Sequence, residues 1–166
     1  NTIQFYKSIL SKETYICPYI WEPLYTPEPF NISDYNNKPM NIVIMEPNIS
    51  ILKNCLIPLC IIQNLWERNP NCFNQCYILN SLEFTKKNIF KNDIYSHLSV
   101  LKSGKCTTEG SHTLFELKKK LDGPFVILSH QTDCDLNYVY LEALYGRIPL
   151  VHNSKRIGND DKCGYY

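Results

Sequence analysis

One continuous segment indicates the fold: Val126-Ile-Leu-Ser-His-Gln-Thr-Asp-Cys-Asp-Leu-Asn-Tyr-Val-Tyr-Leu-Glu-Ala-Leu-Tyr-Gly-Arg-Ile-Pro-Leu-Val-His-Asn-Ser154. Residues 125–128 form an apolar run without alternation, which is typical of a parallel strand covered on both faces. The apolar positions within residues 136–145 favour a helix that packs on a sheet, and Gly146 ends that helix. Residues 148–151 are then a second buried strand, so the segment predicts a βαβ unit.

Polar side chains fill the loop between this strand and this helix. In a βαβ unit, ligands bind beside the carboxyl ends of the strands and the N-terminus of the helix. The candidate contacts at that place are Ser129, His130, Gln131, Asp133, Asp135 and Asn137. His152 and Asn153 follow the second strand and would face the same edge. Two interpretations stay open for His130, as a structural residue or a ligand contact, and for Asn137, as a helix cap or a ligand contact.

The preceding part of the chain shows the same alternation of strands and helices. The first predicted elements are a strand at residues 41–45 and a helix that Ser50 caps and that runs to about Arg68, with Pro58 either kinking this helix or splitting off its first turn. A strand at residues 76–79 and a helix from Leu82 follow. After them come a weaker strand or irregular segment at residues 94–101, a loop at residues 103–110 and a helix at residues 111–121. This order, with the βαβ unit after it, predicts a Rossmann-like, doubly wound parallel sheet of the α/β class.

Prolines set the first 39 residues apart from the rest. This region contains five prolines: Pro18, Pro23, Pro27, Pro29 and Pro39. Residues 1–39 are therefore predicted to be an inter-domain segment with a Pro-rich linker. Residues 40–166 are long enough for one domain with its own core. Because the chain does not begin with Met, it is expected to be a processed product or a domain excised from a longer chain, and we favour the second. The domain is also expected to be truncated near its C-terminal end.

Composition argues against two classes of partner. The chain has 44% hydrophobic and 20% charged residues, and its net charge of +1 gives no reason to expect nucleic acid as a partner. No apolar run reaches the length of a membrane span.

The eight cysteines are scattered without a C-x-x-C pair. That scatter predicts free thiols in a reducing, cytoplasmic setting and no metal site.

A known signature lies at the end of the βαβ segment. The string Leu141-Glu-Ala-Leu-Tyr-Gly-Arg-Ile-Pro-Leu-Val151 resembles the (L)EA-x-x-x-G-x-P-(V/L)-V signature of the nucleotide-sugar domain in GT-B glycosyltransferases, with its glycine one position earlier. Longer blocks are similar to an uncharacterised glycosyltransferase-like family of bacteria and some large DNA viruses. They are Pro18-Tyr-Ile-Trp-Glu-Pro23, Ile44-Met-Glu-Pro-Asn-Ile-Ser50, Ser129-His-Gln131, Leu136-Asn-Tyr-Val-Tyr140, Ala143-Leu-Tyr-Gly-Arg-Ile-Pro-Leu-Val-His-Asn-Ser154 and Cys163-Gly-Tyr-Tyr166. These blocks span most of the chain.

The resemblance implies a nucleotide-sugar-binding domain, one half of a GT-B fold. The implied reaction moves a sugar from a nucleoside-diphosphate donor to an acceptor hydroxyl. It implies no cofactor and no essential metal, because such enzymes can stabilise the leaving diphosphate with a helix dipole and basic residues. The acceptor-binding half and the catalytic base are expected in a missing amino-terminal domain, and His130 is the catalytic candidate within this chain.

The resemblance also implies particular donor contacts. Glu142 falls at the second position of the GT-B E-x7-E pattern and would hold the ribose hydroxyls, with an exposed helix residue as the alternative. The first Glu of that pattern would fall at Cys134, so this chain departs from it, although Asp133 and Asp135 flank the position. The other predicted donor contacts lie in or just after the first loop: Asn48, Ser50 and Lys53. Lys53 or Arg147 would supply the cation.

A second class of function is a non-catalytic Rossmann module with a structural or protein-binding role, for instance in a virus particle. The missing first Glu favours this interpretation. In either case the expected location is the cytoplasm, which would be the host cytoplasm or the virion for a viral protein.

Overall fold

The residues that the structure describes form a sheet of five parallel strands. The computed structural model describes residues 4, 7–9, 13, 15, 21–23, 29–35, 39–50, 52–121, 123–132, 137–154 and 157. The strands are β1 (Met40–Ile44), β2 (Phe73–Ile78), β3 (Cys106–Thr108), β4 (Phe125–Leu128) and β5 (Leu150–Val151). Their order is β3-β2-β1-β4-β5, and every adjacent pair is parallel. The predicted Rossmann-like, doubly wound α/β fold is thereby confirmed.

Helices connect these strands. They are α1 (Leu56–Arg68), α2 (Leu82–Thr85), α3 (Tyr95–His97), α4 (Ser99–Lys102), α5 (Leu114–Lys120) and α6 (Tyr138–Tyr145). A 3-10 turn at Ile32–Tyr35 precedes β1, and a π-helical turn at Phe90–Ile94 leads into α3. The helices α1 to α4 fall between strands on one side of β1, and α6 joins the two strands on its other side.

The sheet is covered on both faces, which explains the continuous apolar runs of its central strands. Ile42 and Ile44 of β1 lie in one core cluster together with Leu59 of α1. Val43 lies on the opposite face, in a second cluster that includes Tyr140 of α6. Since both faces of a doubly wound sheet need apolar side chains, alternation is lost in the sequence of the central strands.

Two predictions for the middle of the chain were wrong. Residues 94–101 are helical over most of their length and form no strand. Ile94, Leu98 and Leu101 are separated by four and three residues, which is a helical spacing. The third strand instead lies inside the predicted loop at residues 103–110. It has three residues, Cys-Thr-Thr, and a strand this short at the sheet edge carries no apolar pattern that a sequence could show.

The start of α1 also differs from its prediction. Ser50 does not cap this helix, because the residue before the helix is Cys55, which makes no side-chain capping hydrogen bond. The Ser50 hydroxyl accepts a hydrogen bond from the Lys53 amide at 3.3 Å and so caps only a loop turn. Pro58 lies in the first turn of α1, where the missing N–H breaks no hydrogen bond within the helix. It therefore introduces no break.

The last strand is shorter and more exposed than predicted. β5 contains only Leu150 and Val151, and the Val151 side chain is 56% exposed.

Most of the predicted linker, residues 1–39, lies outside the described residues. Of its described part, Phe30 packs edge-to-face on Phe125 at 5.6 Å between ring centroids, and its amide donates to the Gly146 carbonyl at 3.3 Å.

Candidate functional site

The candidate site lies where the chain changes direction across the sheet. From β1 the chain runs outward to β2 and β3, then returns to β4 on the other side of β1. In open α/β sheets, ligands bind at this crossover point, outside the carboxyl ends of the two central strands. The loop after β1 and the loop after β4 meet there, so the structure brings together polar residues far apart in the sequence.

Glu46 is the centre of this site, and sequence reasoning did not select it. Its side chain is 1% exposed. The carboxylate oxygen Oε1 accepts hydrogen bonds from the Ser129 hydroxyl and, at 3.2 Å, from the His130 amide. The other oxygen, Oε2, accepts from Gln131 Nε2 at 3.3 Å. One sequence signal was present, because Glu46 follows the strand at residues 41–45 within the block Ile44-Met-Glu-Pro-Asn-Ile-Ser50.

The environment of Glu46 shifts the pKa of its carboxyl group upward. Burial raises this pKa, and the hydrogen bonds from Ser129, His130 and Gln131, with the positive charge of Lys53, lower it in part. The Ser129 hydroxyl is also 2.9 Å from the Tyr140 hydroxyl. Tyr140 is fully buried on α6. A chain of hydrogen bonds therefore runs from α6 through Ser129 to the loop after β1.

Backbone contacts join the three loops at this edge. Lys53 and Gln131 form an antiparallel bridge, and the Thr132 amide donates to the Leu52 carbonyl at 2.9 Å. The Gln131 amide donates to Asn153 Oδ1 at 2.9 Å, and Asn153 Nδ2 donates back to the Gln131 carbonyl at 2.8 Å. Gln131 is thus held from both sides, by the loop after β1 and by the loop after β5.

Two of the predicted donor contacts, Asn48 and Ser50, lie in the loop after β1. Asn48 adopts a left-handed conformation with φ of 56°. Its Nδ2 donates to the carbonyls of Glu46 and Leu79 at 3.0 and 3.2 Å, and its Oδ1 accepts from the Cys55 amide at 2.8 Å. These bonds tie the ends of β1 and β2 to the start of α1, so the Asn48 side chain serves the fold. Ser50 is exposed on the loop.

The second predicted group lies on α6. Asn137 is the N-cap of this helix, and its Oδ1 accepts from the Val139 amide at 3.2 Å. Between the two interpretations of Asn137, the structure therefore shows the helix cap. Glu142 is half-buried in the second turn, and burial raises the pKa of its carboxyl group. Within the described part of the chain its carboxylate has no hydrogen bond or ion pair.

Two histidines line the same edge. His130 contributes its backbone amide to Glu46, and its side chain is half-buried. The His152 ring lies beside the Tyr140 ring, with 5.3 Å between centroids. His152 Nδ1 accepts from the Ser154 amide at 3.0 Å, so a neutral ring carries its proton on Nε2. Burial lowers the pKa of His152, which favours this neutral form. Asp133, Cys134 and Asp135 lie outside the described residues.

Comparison with known proteins identifies the family. A family model described as "Protein of unknown function (DUF2827)" matches residues 1–166. The chain belongs to the DUF2827 family. No curated protein and no solved structure matches it.

Two further properties of the DUF2827 chain bear on its chemistry. In the part of the chain that the structure describes, no group of three or more His, Cys, Asp and Glu side chains is placed to hold a metal ion. Over the same residues, no helix has both the length and the apolar character needed to cross a membrane.

Proposed function

We propose that this DUF2827 chain is the nucleotide-sugar-binding domain of a GT-B-type glycosyltransferase. The enzyme would transfer a sugar from a nucleoside-diphosphate donor to an acceptor hydroxyl. The observation that carries the proposal is the position of the GT-B-like signature. Residues 141–151 form most of α6 and all of β5, and α6 begins beside the crossover point between β1 and β4. This is the place where α/β sheets bind ligands.

In this proposal the diphosphate binds at the amino end of α6. The free N–H groups and the dipole of a helix attract an anion there. Lys53 adds a positive charge from the opposite loop, where its backbone is bridged to Gln131. Glu142, half-buried and without a hydrogen bond or ion pair among the described residues, would accept hydrogen bonds from the ribose hydroxyls. The proposal includes no essential metal, and it assigns the acceptor site and the catalytic base to another domain.

Calorimetry with a panel of UDP- and GDP-sugars tests this proposal directly. We expect at least one member to bind, and we expect Glu142→Ala to weaken that binding by about tenfold or more, because a hydrogen bond to a carboxylate is worth about 1.5–3 kcal/mol. Glu142→Gln should cost less, since it keeps an acceptor. Glu83→Ala is the matched control, because Glu83 is an exposed helix residue paired with Lys86.

The outcomes separate the two parts of the proposal. If a nucleotide sugar binds and Glu142→Ala leaves its affinity unchanged in a folded protein, the role of Glu142 is wrong. If no member of the panel binds the folded wild-type chain, the proposed function itself is wrong.

The second candidate is a non-catalytic Rossmann module with a structural or protein-binding role, for example in a virus particle. Two observations favour it. Asn48 and Asn137 both use their side chains within the fold, and the loops around Gln131 are bonded to one another. An absence of binding across the whole nucleotide-sugar panel would favour this candidate.

A further inference from the structure

The Gln131 side chain carries a buried acceptor, the oxygen Oε1. The residue is 4% exposed, and its Oε1 has no hydrogen-bond partner among the described residues. The other end of the same carboxamide, Nε2, donates to Glu46 Oε2 at 3.3 Å. Nearly all buried polar atoms in folded proteins have a partner, so an unpaired acceptor at the ligand-binding edge of an α/β sheet requires explanation.

The orientation of this carboxamide follows from the charge of Glu46. Turning the amide by half a rotation would place Oε1 against Glu46 Oε2, and a carboxylate can only accept. The Gln131 backbone cannot move to relieve this, because it is bonded to Asn153 in both directions and bridged to Lys53. Glu46 therefore forces Gln131 to present its oxygen.

The chemistry of the missing partner is restricted by the same neighbours. An oxygen acceptor next to a carboxylate repels a phosphate group but accepts a hydrogen bond from a hydroxyl. The hydroxyl-rich part of a nucleotide sugar meets this requirement, and its diphosphate does not.

We propose that Gln131 Oε1 accepts a hydrogen bond from a hydroxyl of the donor sugar, and that Glu46 is the positioning residue that holds the carboxamide in this orientation. This inference rests on the proposed function, because it concerns the sugar end of the same ligand. It makes Gln131 a specificity-determining residue that distinguishes a nucleotide sugar from the free nucleoside diphosphate.

The affinity test compares each nucleotide sugar with its own nucleoside diphosphate, for example UDP-glucose with UDP. Gln131→Met keeps the size of the side chain and removes the acceptor. We expect this substitution to weaken the binding of the nucleotide sugar by about tenfold and to leave the affinity for the nucleoside diphosphate unchanged. Glu46→Gln should reduce the same discrimination with Gln131 still present, because the amide can then turn. Gln75→Met is the matched control. The Gln75 side chain donates hydrogen bonds to the Gly104 carbonyl, in the turn before β3, and to the Thr107 hydroxyl of β3.

A second measurement follows the Gln131 carboxamide itself by NMR, with its signals identified from Gln131→Met. The probes are the monosaccharides of the nucleotide-sugar panel at high concentration, and inorganic pyrophosphate. We expect at least one monosaccharide to move the Gln131 side-chain signals, and we expect pyrophosphate not to move them. The Gln75 signals should stay in place with every probe.

Each result decides a separate point. If nucleotide sugars bind but Gln131→Met weakens the binding of the nucleotide sugar and of the nucleoside diphosphate equally, the inference fails and the proposed function stands. If no nucleotide sugar binds but a monosaccharide moves the Gln131 signals, the proposed function fails, and Gln131 binds a hydroxyl of a sugar that is not a nucleotide-sugar donor. If neither monosaccharides nor nucleotide sugars affect Gln131, its partner is water only and the inference is overturned. If Glu46→Gln still distinguishes the nucleotide sugar from the nucleoside diphosphate as well as wild type does, the positioning role of Glu46 is overturned.

Discussion

At the scale of single residues, Glu46 shows how hydrogen bonds can accommodate a buried carboxylate. Three donors approach its two oxygens, from Ser129, His130 and Gln131. Such bonds favour the ionised form, but burial acts more strongly in the opposite direction, and the pKa of Glu46 lies above its ordinary value. Folding therefore strengthens the hold of this carboxyl group on its proton.

This shift predicts how stability depends on pH. A raised pKa in the folded state contributes stability that is fully present below the unfolded pKa of about 4.3 and is lost as pH rises through the folded pKa. The free energy of unfolding of wild type relative to Glu46→Gln should therefore fall as pH rises from about 4 to about 7. Urea unfolding at several pH values measures this difference.

Glu109 supplies a control, because its pKa shift and the resulting pH dependence of stability have the opposite sign. Its hydrogen bond to Lys120 lowers the pKa of its carboxyl group. A lowered pKa contributes stability that is present above the unfolded pKa and is lost as pH falls through the folded pKa. Relative to Glu109→Gln, wild type should therefore gain stability as pH rises. If both variants gave the same sign of slope, the assignment for Glu46 would be wrong.

At the scale of elements, two neighbouring residues end α6 in different ways: one occupies the C-cap, and the next adopts the left-handed backbone conformation. Gly146 was predicted to stop the helix, and it does occupy the C-cap. Its φ of −76° is one that any residue adopts. The left-handed position belongs to Arg147, with φ of 52°. What requires glycine at residue 146 is space, because an added Cβ would lie 3.2 Å from the Glu142 carbonyl oxygen and 3.4 Å from Ile148 Cδ1.

We therefore expect opposite effects from substitutions at these two positions. Gly146→Ala should destabilise the fold by about 1–3 kcal/mol through crowding. Arg147→Gly should be neutral or stabilising by up to about 1 kcal/mol, since it relieves the left-handed conformation but adds freedom to the unfolded chain. Urea unfolding monitored by circular dichroism measures both. Gly110→Ala is the control, because its Cβ would meet only Leu82 Cδ1 at 3.7 Å. An equal cost for Gly146→Ala and Gly110→Ala would contradict the crowding.

Elements differed in how well their sequences predicted them. β4 was predicted to the residue, because its apolar run is bounded by Pro124 and Ser129. α6 was predicted from its periodicity and began two residues later than expected. β3 was missed because a three-residue edge strand is held by its neighbour β2 and has no local signal of its own.

At the scale of the whole molecule, the cysteines are distributed between the core and the surface. The described ones are all free thiols: Cys55, Cys60, Cys72, Cys76 and Cys106. Cys55 and Cys76 are buried in the core between the sheet and α1. Burial raises the pKa of Cys55 to about 12, so this thiol resists ionisation in the folded state. Cys60 and Cys72 are exposed.

Thiol titration should therefore depend on the folded state. Under denaturing, non-reducing conditions we expect all eight cysteines of the chain to react. In the native protein, Cys60 and Cys72 should react quickly, and Cys55 and Cys76 only as the protein opens. Cys60→Ser should remove one fast thiol and leave the slow ones unchanged. A count of four or fewer under denaturing conditions would refute the prediction of free thiols.

By itself the sequence determined the fold class, the main strands and the edge of the sheet that carries the polar loops. These features depend on local physics: apolar runs, helical spacing and residues that end helices act over a few positions. The strand order and the partners of Glu46 were decided only by the tertiary structure. Glu46 meets the Ser129 hydroxyl across 83 positions of sequence. Its role depends on the packing of β1 beside β4, because burial and hydrogen bonding are properties of neighbours in space and no short window of sequence contains them.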